Sequence, residues 1–330
     1  MLGLLLCSVL AASGMLYEDP SADHLIRSTL EHTYNLQLAE ARTAAQSLEA
    51  RYSDHPAGYT MMAETYWWEA QMDPGNAVIE STYYRLQDRA VKKAAEALQQ
   101  AQYPKIEVLA YLASAHGSYA RFQVTQKNAL FSAMRAGLRA HKYAEQVFAL
   151  DKTYYDIYVG TGAFNFFTGS LPAVIKPFAF LIGARGDKDL GIQQLHIAMD
   201  KARYSQTEAR IVYYTAMLED ENYPEAFRTL EPLMFDNKDN FVFYTWVTDW
   251  YRRQGKNLEG AEYFEKVFKA QFSRSPLLAK YALLERARLQ HAHARDADAR
   301  TTVARLKAIS SVDRLLSSKV QAFEKTLRQK

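Results

Sequence analysis

The sequence predicts an all-α chain, an α-α superhelix of stacked helix pairs. Three observations carry this. Glycine and proline are scarce, 14 and nine in 330 residues, whereas Ala, Leu, Glu, Gln, Lys and Arg, which lose little on entering a helix, are abundant. Apolar residues recur at helical spacing almost throughout, and an apolar content of 48% is enough to bury a substantial core. The pattern also repeats along the chain, and a repeat of this length is the mark of a solenoid.

The chain opens on the apolar run MLGLLLCSVLAASG. It is too short to span a bilayer and reads as the hydrophobic part of a signal peptide, with Ala12 and Gly14 ahead of the cleavage point. Residues 1–14 are therefore expected to be removed and residues 15–330 to be periplasmic or secreted. Anchoring through Cys7 and a plain N-terminal helix are the alternatives. Cys7 is the only cysteine, which excludes a disulfide framework and a cysteine-based zinc site.

Residues 15–190 are read as long-stride helix pairs. The second helix of each pair carries a small residue followed by further small or apolar ones at +4 and +7: Ala41, Ala45 and Leu48, then Ala90, Ala94 and Ala97, then Ala140, Ala144 and Val147. These anchors and the next, Gly191, stand 49, 50 and 51 residues apart. Helix breakers fall between the elements: SDHP at 53–56, DPGN at 73–76 and YP at 103–104. The first helices are aromatic, with Tyr66, Trp67 and Trp68 in the segment 59–70. First helices of such a superhelix line its concave face, where aromatic anchors recognise peptides and proteins; rings filling the gaps between stacked pairs are the alternative. If any ring escapes such packing, Trp67 or Trp246 is expected to, because each is flanked by likelier core positions.

The stretch 154–191 interrupts the helical pattern and holds six of the 14 glycines. Tyr154 to Phe167 should form a ring-rich first helix ended by the TGS at 168–170, with Ser170 placed to cap the next segment. The insert 168–187 contains LPAVIKPFAFLIG, in which Pro177 must kink or break any helix, and Gly183 and Gly186 permit a reversal. Asp187 can cap the next helix. An apolar piece of this length is expected to plug the core; the alternative is a lip presented to a membrane or an apolar ligand. Phe164, Phe167, Phe178 and Phe180 would line a pocket for a small apolar ligand if one exists.

Residues 191–330 are read as regular pairs and a capping helix. Gly191, Leu195 and Ala198 are followed by Ala226, Leu230 and Leu233 and by Gly260, Phe264 and Val267, at strides of 35 and 34 residues. A 34-residue helix–turn–helix unit resembles the tetratricopeptide repeat, whose signature positions fall here on Tyr244, Val247, Thr248, Tyr251, Gly255, Gly260 and Phe264. Trp246 and Trp250 lie on the first helix of that unit. The last segment presents Val312, Leu315, Leu316, Val320, Phe323 and Leu327 as one apolar stripe opposite a basic face, as a terminal capping helix requires.

The central stretch also resembles the inclusion-body clearance protein family and its animal tetratricopeptide relatives. The motif stands as Gly160, Gly162, Phe164 and Asn165, then Ser170, Leu171 and Pro172, then Gly183, Gly186 and Asp187, and finally Leu190 with Gly191. The resemblance implies a helical-repeat fold without catalysis, in a family that works inside the cell.

No phosphate loop, dinucleotide fingerprint, nucleophile elbow or HExxH motif is present. His291 and His293 point to nearly opposite sides of a helix and cannot share a metal. His116, on an apolar helix, reads as a packing histidine. Formal charge is +3, with a net +7 in residues 280–330 that would suit an acidic partner or a phospholipid surface, or simply solvate terminal helices. The expectation is a non-catalytic scaffold without cofactor or metal, binding a protein or peptide through Tyr66, Trp67, Trp246 and Trp250. A binding component for an apolar solute or lipid, associated with a transporter, is the alternative; nucleic acid is not expected as a partner.

Overall fold

The computed structural model describes residues 15–181, 183–309 and 313–328; the expected signal peptide, residues 1–14, lies outside them. Among the described residues every regular element is helical. Two compact units are formed, one from residues 15–33, 37–70 and 75–209, the other from 34–36, 71–74 and 210–328.

The first unit contains helices α1 (Pro20–Tyr34) and α3 (Ala57–Met72), except for Tyr34, Gln71 and Met72 at their ends, together with α2 (Leu38–Arg51), α4 (Ala77–Gln100), α5 (Lys105–Lys127), α6 (Leu130–Leu150), α7 (Tyr158–Gly169), α8 (Lys176–Leu181) and α9 (Lys188–Lys201). The long stride of the sequence is the length of α4, α5 and α6, at 24, 23 and 21 residues. Successive helices pack as antiparallel neighbours, α4 on α5, α5 on α6 and α7 on α9. The small-residue anchors are buried: Ala41, Ala45 and Leu48 on α2, Ala90, Ala94 and Ala97 on α4, and Ala144 and Val147 on α6. The DPGN breaker works through two residues, since Gly75 takes φ +81° and the Asn76 side chain accepts from the Val78 N–H at 3.0 Å to cap α4.

The second unit contains α10 (Gln206–Glu219), whose first turn belongs to the first unit, then α11 (Tyr223–Asp236), α12 (Val242–Arg253), α13 (Asn257–Gln271), α14 (Pro276–Ala292), α15 (Asp296–Lys307) and α16 (Arg314–Arg328). Its helices are short, and its pairs interlock as a tetratricopeptide-like unit does. A β-carbon on Gly260 of α13 would lie 2.7 Å from Tyr251 Cγ and from Leu289 Cδ1, so only glycine lets α13 sit between α12 and α14. Tyr244 and Phe264 meet edge to face at 5.9 Å across the same pair. On α16 the stripe of Leu316, Val320, Phe323 and Leu327 is buried, whereas Val312 lies outside the described residues.

The insert between α7 and α9 departs from expectation. It does not plug the core: Val174, Phe180 and Leu181 are exposed, and α8 spans six residues with Pro177 in its first turn. Proline tolerates a first turn and opposes a longer helix through this run, so the apolar side chains are left on the surface. No helix among the described residues is long and apolar enough to cross a membrane.

Candidate functional site

The aromatic residues singled out on α3 separate into one open and one closed position. Tyr66 is half-buried, with the Arg42 guanidinium 3.9 Å above its ring. Arg42 also donates to Glu69 Oε2 at 2.5 Å and to Thr65 Oγ1 at 3.1 Å. Trp67, one of the two rings expected to escape the core if any does, is only 2% exposed. The reason is that α3 is apolar nearly all round and is enclosed on most sides, so no face is left on which a second ring can emerge. Trp67 and Trp68 meet edge to face at 5.2 Å inside the unit.

Above Trp67 lies an ionic group with no sequence signature. The Arg121 guanidinium of α5 sits 3.8 Å over the Trp67 ring and donates to Glu64 Oε2 of α3 at 2.6 Å. It also donates to Glu208 in the first turn of α10. The three side chains are 16–20% exposed. Burial, with the Glu208 charge, pushes the Glu64 carboxyl up while Arg121 pulls it down. Burial works against the Arg121 charge, but the two carboxylates outweigh it and hold the guanidinium above its ordinary range. This group joins three helices.

A second polar group ties the N-terminal residues to the interior. The buried Glu107 carboxylate accepts the Leu16 N–H with both oxygens at 3.0 Å, and His55 Nε2 is 3.9 Å from Oε2. Burial pushes Glu107 up to about 7 and His55 down to about 3. Asp156 accepts from the backbone N–H groups of Arg203, Tyr204 and Ser205 at 3.1, 2.8 and 2.9 Å, satisfying donors ahead of α10. Asp23 accepts from Arg27, Arg203 and the Tyr204 hydroxyl; burial opposes its charge, but these three hold it down at about 2.

The glycine motif of the central stretch is a backbone contact. A β-carbon on Gly191 would stand 2.5 Å from Phe166 N and 2.8 Å from the Gly162 carbonyl oxygen; on Gly186 it would stand 2.6 Å from Gly169 N. Asn165 locks the contact, donating to Gln194 Oε1 at 2.9 Å and accepting the Asp187 N–H at 3.4 Å, while Asp187 caps α9 by accepting the Leu190 N–H at 3.0 Å. Gly183 takes φ +85° at the reversal. Gly160, Ser170 and Pro172 are exposed and Leu171 is half-buried, outside this contact.

The phenylalanines do not enclose a pocket. Phe164 stacks on His141 at 4.1 Å, Phe167 leans edge-on against Phe166 and is partly open, and Phe180 is 55% exposed beneath Arg185 at 3.9 Å. The Phe178 side chain lies outside the described residues. The proline-broken run lies on the surface, so its rings have no second wall. His116 stacks on Tyr143 at 5.7 Å, and burial lowers its pKa.

In the second unit Trp246 is half-buried, lying flat on Tyr214 of α10 at 5.5 Å with 7° between the rings. The Tyr214 hydroxyl donates to the Trp246 carbonyl at 3.1 Å and fixes the stack. Trp250 turns the other way: its indole N–H donates to the Tyr223 carbonyl at 2.7 Å and its ring packs on Phe227 at 4.7 Å, which makes it a joint between pairs. Among the described residues no group of three or more His, Cys, Asp or Glu is arranged to hold a metal; His291 pairs with Asp296 at 2.6 Å.

No family model matches the chain, and no curated protein matches it. Among solved structures it is similar to a tetratricopeptide repeat protein from Parabacteroides merdae ATCC 43184, at 13% identity over 92% of this chain and 98% of that one, with a TM-score of 0.37. The tetratricopeptide-like character of the helix pairs rests on the interlock at Gly260, Tyr244 and Phe264 described above.

Proposed function

We propose that the chain is a non-catalytic helical-repeat scaffold of the bacterial envelope that holds a protein or peptide partner. The observation that supports this best is Trp246: a large ring, immobilised on Tyr214, with part of its surface left open on the first helix of a regular pair. A ring already fixed in place loses little freedom on binding, which is what makes tryptophan an effective anchor. The charged groups inside the first unit are engaged in joining helices, as at Arg121 and Asp156. The signal-like start supports the envelope assignment. The glycine motif, occupied in packing α7 on α9, supports the likeness to the inclusion-body clearance proteins as one of architecture.

Immobilised wild-type chain and a Trp246→Ala variant, exposed to the same envelope extract, test this reading. A defined protein retained by the wild type and lost from an equally stable variant is the expected result. Capture of small solute or lipid alone, or equal retention by both chains, overturns it.

A further inference from the structure

The antiparallel packing of the first unit fixes which helix ends lie together. Lys127 at the end of α5 pairs with Glu80 at the start of α4. Phe148 meets Tyr158 and His141 meets Phe164, so α6 runs against α7 with its start beside the end of α7. Gly169 at the end of α7 abuts Lys188 at the start of α9. The starts of α4, α6 and α9, the ends of α5 and α7, and the insert therefore share one end of the unit.

That end collects the exposed apolar side chains. Among the described residues, every large apolar side chain exposed in this unit lies there except Leu150. Leu181, Phe131, Val174 and Val78 are 80%, 77%, 76% and 73% exposed. Side chains so open protrude singly; they do not wall a groove that a folded partner could fill. Residues 170–186 add Lys176 and Arg185 and contain no Asp or Glu. Arg185 lies over the exposed Phe180 ring, a cation beside an aromatic group as the headgroup region of a bilayer favours.

We propose that this end of the first unit docks on an anionic phospholipid bilayer, with Phe131, Val174, Phe180 and Leu181 entering the interface and Lys176 and Arg185 meeting headgroup phosphates. Protruding apolar side chains gain by entering a fluid interface whatever their mutual spacing, and the two cations add attraction to anionic lipid alone. The surface is distinct from the Trp246 ring, so it stands or falls independently of the partner reading.

The test is co-sedimentation of the full chain with vesicles of phosphatidylcholine, alone or mixed with phosphatidylglycerol. Wild-type chain should bind the mixed vesicles, and Phe131→Ser/Phe180→Ser/Leu181→Ser should lower that binding about tenfold or more at an unchanged melting temperature. Lys176→Glu/Arg185→Glu should abolish the preference for phosphatidylglycerol, and it keeps the proposal testable if the triple variant unfolds. Leu150→Ser/Phe235→Ser, which removes exposed apolar groups elsewhere, should bind as the wild type does. No binding by the wild type overturns the proposal. So does equal binding by the triple variant, which would place the contact in the apolar run 1–14 or on another face. Loss of a dimer in the triple variant, with vesicle binding unchanged, overturns it in favour of a second copy of the chain.

Discussion

Gly191 and Gly162 bring α9 and α7 together at the level of the backbone: a β-carbon on Gly191 would stand 2.8 Å from the Gly162 carbonyl oxygen and 2.5 Å from Phe166 N. Backbone atoms cannot swing aside, so Gly191→Ala should cost roughly 1–3 kcal/mol or more. At Gly162 the nearest obstacle is the Leu195 side chain, which can shift, and the cost should be smaller. Gly160, two residues away in the same helix, has nothing within 4 Å, so Gly160→Ala should stabilise by about 0.5–1 kcal/mol. Thermal melting of the three variants checks the order, and equal melting of Gly191→Ala and wild type would contradict it.

Removing the cation from between Glu64 and Glu208 leaves two carboxylates facing each other away from bulk water. Arg121→Met should therefore destabilise by about 3–5 kcal/mol. Adding Glu64→Gln and Glu208→Gln should recover much of that loss, because the uncompensated charge goes with them. Urea midpoints of the single and triple variants decide it; a triple variant no better than the single would show that packing on Trp67 matters more than charge.

Glu107 carries a folded-state pKa of about 7, raised by burial from the ordinary carboxylate range near 4.5. Its contribution is full below pH 4.5 and falls as pH rises to about 7, because the unfolded chain loses its proton first. The difference in stability between wild type and Glu107→Gln should therefore shift against the wild type across that window, by up to about 3 kcal/mol. His55, lowered to about 3 by burial, contributes the opposite slope. Denaturant titrations at intervals between pH 4 and 8 measure it, and a flat difference would place the charge of Glu107 in better solvation than its 2% exposure implies.

Asp156 gathers three consecutive backbone N–H groups ahead of α10. Asp156→Ala should cost about 1–3 kcal/mol, since the half-buried donors of Tyr204 and Ser205 and the exposed one of Arg203 lose a charged acceptor together. Amide exchange at Tyr204 and Ser205 should accelerate in the variant before global unfolding does.

The pairwise fold was legible because each second helix buries one narrow stripe, and the alanines at 41, 45, 90, 94 and 97 mark it plainly. The stripe was misread by small amounts where neighbouring residues are alike: Phe268 is buried while Val267 is only half-buried, and Ala140 is less buried than Ala136. The burial of Trp67 was not legible because helical spacing says which residues share a face and nothing about how many faces a neighbour will cover. The ionic groups were invisible for a different reason. Arg121 meets Glu208 across 87 residues and Arg203 meets Asp23 across 180, and no local pattern marks a charge that will find its partner at that range. In the sequence the glycine motif carries only a family resemblance; its meaning as a helix contact appears when Gly162 and Gly191 are placed side by side.

Because Gly169 and Gly186 touch, the residues between them form a closed bight whose base is sealed by the helices on either side. Loop-closure entropy grows slowly, about 0.6 kcal/mol for each doubling of length, so the length of this bight is nearly free to vary. The segment is in effect an exchangeable cassette: descendants or engineers can lengthen it, charge it or graft a new epitope into it while Asn165, Gly162 and Gly191 keep the framework beneath unchanged.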